Sequence, residues 1–236
     1  MRGTLLNTAT VVAGASVGLA VGKLIPTSIQ TVALHGIGLV VVGIAVKMFL
    51  QGKNPLISAI AIAGGGVIGL SLGINQGIEQ IAEWSKIQFG SHENHFVDGL
   101  VTSFVLFCIG PMTLLGCMQD ALEKKIDLLS LKSTLDGICA IFLAALYGAG
   151  VLAVAPLLLL TQGAITLLAK RLQPLADNQD MLAETTAAGG AIVLATALGL
   201  LEVANLKPAN YLPAIIIAPA VVGLGAKIQS MKAAKA

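Results

Sequence analysis

The chain is a succession of long apolar runs, each closed by Pro, Asn, Asp or a charged residue. A hydrocarbon slab of roughly 30 Å takes about 20 apolar residues of helix to cross. Eight windows meet that need: 4–22, 31–50, 55–74, 99–118, 135–153, 155–169, 183–201 and 211–226. The pattern therefore predicts an all-α polytopic membrane bundle of about eight transmembrane helices, forming a single integral membrane domain over residues 1–236. Between the third and fourth windows, residues 77–90 place Ile78, Ile81, Ala82 and Phe89 near one helical face opposite Glu79, Glu83 and Lys86. That is the pattern of a helix lying in the membrane interface, with Trp84 at headgroup level.

The pair of windows at 135–169 decides the topology. Only Gly148-Ala149-Gly150 and Pro156 mark a turn between them. The cytoplasmic side of a membrane protein collects Lys and Arg. With eight spans, 11 of the 14 basic residues fall on one side, Lys124, Lys125 and Lys132 among them, and only Lys23, Lys86 and Lys207 on the other. A single crossing of 135–169 would level the split at 7 to 7. Eight spans with both termini cytoplasmic are expected, and the first span is expected to be retained as a helix, not cleaved as a signal.

Composition agrees and narrows the classes. Hydrophobic residues make up 56% and charged residues 11%, at a mean hydropathy of +0.89, whereas soluble domains carry roughly 25% charge. Lipid is the expected solvent. A net charge of +2 speaks against a nucleic-acid partner. Cys108, Cys117 and Cys139 lie scattered in apolar runs and read as small core residues, and SHENH (91–95) has too few ligands for a metal centre. Neither metal nor cofactor is expected, and no enzyme activity: Gly14-Ala15-Ser16-Val17-Gly18 and Gly64-Gly65-Gly66-Val67-Ile68-Gly69 match a nucleophile elbow and a dinucleotide fingerprint only in spelling, since both sit inside spans.

Those glycines have another use. Gly14, Gly18 and Gly22 repeat every four residues on the first span, and Gly65, Gly69 and Gly73 on the third. Small residues on one face let helices approach closely in lipid. The sequence leaves open whether the neighbour is a helix of the same chain or of a second copy, so a homo-oligomer is one reading.

Polar groups inside hydrocarbon are costly and mark candidate function. At a separation of 38 residues, Asp98-Gly99, Phe104, Gly110 and Leu114 fall on Asp136-Gly137, Phe142, Gly148 and Leu152. Asp98 and Asp136 are expected to open the fourth and fifth spans as helix caps or gates, with breaks at Gly110-Pro111 and Gly148-Ala149-Gly150. Pro111 lacks an N–H and would leave the Phe107 carbonyl without its helical partner, so something polar must sit there. Two interrupted spans in corresponding, inverted positions point to a midplane ion or solute site. Asn7, Phe107, Thr113 and Gln162 are expected to line it, Gln119 and Asp120 to guard its cytoplasmic mouth, and Glu184 to contribute from the seventh span.

The stretches GTLLN (3–7), FCIGPMTLLGCMQD (107–120), KSTLDGICAIF (132–142), QGAITLLA (162–169), ETTAAGG (184–190) and LPAIIIAPAV (212–221) resemble the YqgA-like bacterial membrane proteins, the DUF554 family. The resemblance implies a multi-pass inner-membrane protein and brings no substrate. One expectation is thus a transporter or channel for a small ion or solute, with a lean to a monovalent cation; the other is a non-transporting scaffold or regulator that assembles through its glycine faces.

Overall fold

A computed structural model describes residues 1–22, 24–88, 95–109 and 111–233. Lys23, Phe89, His92, Glu93 and Gly110, named above, lie outside the described residues. Eleven α-helices and no strand are found among those described. They are α1 (Arg2–Gly22), α2 (Thr27–Phe49), α3 (Pro55–Ser71), α4 (Ile74–Gln88), α5 (Phe96–Cys108), α6 (Pro111–Met118), α7 (Asp127–Tyr147), α8 (Ala155–Leu167), α9 (Ala169–Asp177), α10 (Gln179–Leu200) and α11 (Ala214–Ala233). Five segments are long and apolar enough to cross a membrane, and eight when each of three bent helix pairs counts as one span.

The outer surface is apolar and the interior holds polar groups, the reverse of a water-soluble fold. Val32, Leu39, Val67, Leu70, Leu160 and Ile216 are all exposed, while Asn7, Gln162 and Glu184 are buried. This is the distribution expected when hydrocarbon is the solvent.

Three close helix pairs organise the bundle, each built on glycine. Gly14, Gly18 and Gly22 of α1 lie against the carbonyls of Gly137, Ile141 and Ala145 of α7, so the numbers rise together and the helices run parallel. A Cβ on Gly22 would stand 2.5 Å from the Ala145 oxygen. Gly190 of α10 faces Phe49 and Ala45 of α2, whereas Gly38 of α2 meets Leu200 and Leu201, an antiparallel pair. Gly65 of α3 meets Ala214 at the start of α11 and Gly69 meets Asn210 in the 3-10 turn before it, also antiparallel. The faces predicted for packing are therefore filled by helices of the same chain, with one correction. Gly73 is not on that face: at φ +64 it forms the turn from α3 into α4, a backbone conformation glycine adopts without strain.

Local chemistry sets the helix ends. Asn54 accepts from the Leu56 N–H ahead of Pro55, and Asn178 accepts from the N–H groups of Asp180 and Met181, each satisfying donors a helix start leaves free. The α4 helix leaves α3 at 57°, and its Trp84 and Ile87 are exposed. The α9 helix, where the sequence pattern placed only a loop, leaves α8 at 77°; Lys170 and Arg171 are exposed on it, while Leu172 and Leu175 line a cavity, so it is amphipathic.

Residues 135–169 do fold back. Ala145 of α7 lies beside Gly22 at the end of α1, and Thr166 of α8 lies beside Thr4 at the start of α1, Oγ1 to Oγ1 3.3 Å. Thus α7 runs along α1 and α8 returns against it, through two short 3-10 turns at 148–150 and 152–154. The matched breaks expected in the fourth and fifth spans are not found. The fourth is broken between α5 and α6, whereas α7 is continuous from Asp127 to Tyr147 and ends at Gly148, φ +72, which stops the helix instead of interrupting it.

Candidate functional site

The return of α8 past α1 brings four polar side chains from three helices together. Lys132 and Asp136 are one turn apart on α7, Nζ to Oδ2 2.6 Å, and both are more than nine-tenths buried. The Asn7 amide of α1 donates to the same Oδ2 at 2.9 Å. Thr4, one turn before Asn7, faces Thr166, and the Thr166 hydroxyl donates to the Gln162 carbonyl at 2.8 Å. Because α1 and α8 are antiparallel, one step from that hydroxyl pair reaches Asn7 on one helix and Gln162 on the other. Asn7 Oδ1 and both polar atoms of the Gln162 amide have no partner, although each residue is fully buried. A primary amide needs partners for its carbonyl and its N–H groups alike, and leaving them unmade costs about 1–3 kcal/mol per group. Sites that carry such a cost stand ready for a ligand.

The break in the fourth span lies beside this cluster. The α5 helix ends in an extended residue, Ile109, and α6 starts at Pro111, where the missing N–H falls at a helix start and removes no bond. The Phe107 carbonyl, expected to need a polar partner, accepts from the buried Thr113 hydroxyl at 3.4 Å. The Cys108 thiol receives the Thr161 hydroxyl of α8 at 3.2 Å.

Two cavities approach the broken span from its two ends. One, of about 590 Å³, is lined by Thr102 of α5, Thr196 of α10, Glu79, Asp98, Glu202 and Lys207. The other, of about 320 Å³ and mostly apolar, reaches Cys108, Ile109, Thr113, Thr185, Thr186 and Gly189. Between them Val105, Ile109 and Ile192 pack together, each less than a tenth exposed.

Other predicted residues take different places. Asp136 does not cap a helix start, because α7 begins nine residues earlier. Asp98 lies in the first turn of α5 without capping it, exposed at the rim of the larger cavity, 3.7 Å from His95. Gln119 accepts from the Leu128 N–H at 3.3 Å and Asp120 from the Gly3 N–H at 2.9 Å, so both hold helix starts of the bundle. Glu184 accepts from the backbone N–H groups of Lys53 and Asn54 at 2.8 and 2.7 Å and from the Ser58 hydroxyl at 3.0 Å. Its carboxylate is occupied in fastening α10 to the start of α3.

Sequence reasoning missed Lys132, counted with a cytoplasmic loop, and Thr4 and Thr166. The signal available for Lys132 was its i,i+4 spacing from Asp136, which puts opposite charges on one helix face.

An all-α bundle with five to eight spans, lipid-facing apolar helices and ionisable groups inside defines a polytopic membrane protein. The chain belongs to the DUF554 family, described as proteins of unknown function, which it matches over residues 2–223. It is 30% identical over 226 residues to the uncharacterized membrane protein YdfK of Bacillus subtilis, covering 94% of this chain and 96% of that one. It is 26% identical over 222 residues to the uncharacterized protein YqgA of Escherichia coli, covering 92% and 94%. No solved structure matches.

Proposed function

We propose that this membrane protein is a small transporter for a monovalent cation, working at the broken fourth span with both termini in the cytoplasm of a bacterial inner membrane. The observation that carries the reading is a pair of cavities on either side of a closed apolar contact of Val105, Ile109 and Ile192, the smaller reaching the break at Cys108 and Ile109 and the larger reaching α5 at Asp98 and Thr102. Alternating exposure of a buried site needs that arrangement: two entrances and one barrier that can open to either. The larger cavity carries Glu79, Asp98 and Glu202 against Lys207, with His95 at its rim. An excess of carboxylates raises the local concentration of cations. The scaffold reading is weakened, because five of the six glycines it needs as docking faces are already packed against α7, α11 and the turn before α11.

Purified protein in liposomes, assayed for Na⁺, K⁺ and H⁺ flux, tests this. Flux of one monovalent cation, lost in Asp136→Asn and reduced in Gln162→Ala, is expected. Flux of none of the three removes the cation transporter.

A further inference from the structure

The cluster around Asp136 holds a charge where hydrocarbon tolerates charge poorly. Charged residues inside a membrane helix are costly and rare, and this site contains two, Lys132 and Asp136. Packing alone does not account for the pair, since apolar residues of similar volume commonly serve a core as well or better. The pair is moreover set among acceptors it does not use. Asn7 Oδ1 and Gln162 Oε1 carry no hydrogen bond and are fully buried. The Asn7 amide donates to Asp136, so its unused oxygen belongs to a group already in contact with that carboxylate.

We infer that Asp136, paired here with the Lys132 ammonium, takes a dehydrated monovalent cation in its stead when the ammonium withdraws, and that the buried amide oxygens Asn7 Oδ1 and Gln162 Oε1 turn to complete the ligand set. This rests on the transport reading and names the ligand set of the same protein. An ammonium and a small alkali ion make the same demand, several oxygen atoms and one negative charge, and the cluster offers one carboxylate. A single carboxylate balances a monovalent ion and leaves a divalent one uncompensated. The long lysine stem lets the charge move while its Cα stays in place. Lys132 lies on the side of Asp136 nearer the start of α7, where Asp120 and Gln119 hold the helix ends; withdrawal in that direction carries the ammonium toward the membrane surface. No covalent step is involved: one cation replaces another at a fixed carboxylate.

The test is replacement of the tethered cation by a free one. The full-length Lys132→Gln protein is purified in detergent, and its thermal unfolding is followed against NaCl, KCl and choline chloride at matched ionic strength, with wild type and Lys132→Gln/Asp136→Asn alongside. The expected result is saturable stabilisation of Lys132→Gln by Na⁺ or K⁺ and not by choline, at a midpoint at least tenfold lower than for wild type, and absent from the double variant. A Lys132→Gln protein that is recovered folded only in Na⁺ or K⁺ supports the assignment equally. Equal behaviour in all three salts overturns it, as does failure to fold in any of them. Adding Gln162→Leu to Lys132→Gln should raise the midpoint, and an unchanged midpoint removes Gln162 from the ligand set. Cation flux through wild type without selective stabilisation of Lys132→Gln sinks the site and leaves transport standing; selective stabilisation without wild-type flux does the reverse.

Discussion

Lys132 and Asp136 are bonded at 2.6 Å one turn apart on α7, both buried, and Asn7 of α1 donates to the same carboxylate oxygen. Removing one partner strands the other charge in an apolar interior, at a cost of about 3–5 kcal/mol, whereas replacing both with apolar groups is commonly near neutral. Asp136→Leu is expected to lose about that much stability in low-salt detergent. Lys132→Met combined with Asp136→Leu should recover most of it. Thermal unfolding of the four proteins gives the coupling, and additive losses would show that the pair is not a unit.

The α1 and α7 helices touch through backbone at Gly18, where an added Cβ would run into the Ile141 carbonyl and stand 2.9 Å from Ala144 Cβ. Gly18→Ala is expected to destabilise the protein by about 1–3 kcal/mol, the usual range for overpacking. Gly36 of α2 has nothing within 4 Å, so Gly36→Ala should be silent or slightly stabilising through helix propensity. Unfolding midpoints of the two variants in detergent compare them directly, and equal effects would contradict the packing described.

Glu184 binds two backbone N–H groups and the Ser58 hydroxyl at the start of α3. Glu184→Ala leaves the buried Ser58 hydroxyl and two part-buried backbone N–H groups without their acceptor and should cost about 1–3 kcal/mol. The loss should concentrate at the loop before α3, so faster proteolysis around Lys53 and Asn54 is the measurement. An unchanged cleavage pattern would return Glu184 to the list of transport candidates.

Topology follows from the fold-back of α7 into α8. Single cysteines at Lys124 and Lys170, in a background lacking native cysteines, should react with an impermeant reagent from the same side of the membrane. One at Asn205 should react from the opposite side. Labelling of the first two from opposite sides would undo the eight-span arrangement.

Much of the fold was legible because lipid writes simple rules into a chain. Span-length apolar windows and the four-residue glycine spacing follow from the cost of exposing polar groups and the need for close helix approach. The site was half legible. Asn7 and Gln162 stood out as amides in hydrocarbon, but charge was used as a span boundary, and that rule misplaced α7. Lys132 and Asp136 neutralise each other across one turn, so the helix continues through them and begins at Asp127. The roles of Gln119, Asp120 and Glu184 had no local signal at all, since each bonds a helix start on another part of the chain. Gly148 was read as an interruption because a glycine inside a span and one ending it look alike in sequence; only its positive φ separates them.

Everything at the site depends on α8 passing the start of α1, where Thr166 meets Thr4, and a cross-link tests that most directly. With Cys108, Cys117 and Cys139 replaced by alanine, Thr4→Cys and Thr166→Cys would set two sulfurs where hydroxyls now lie 3.3 Å apart, within reach of a disulfide. Mild oxidation in membranes should link peptides 4 and 166 within one chain, while Val12→Cys with Thr166→Cys stays unlinked. A folded double-cysteine protein that forms no internal link, or links only between two copies, would contradict the arrangement.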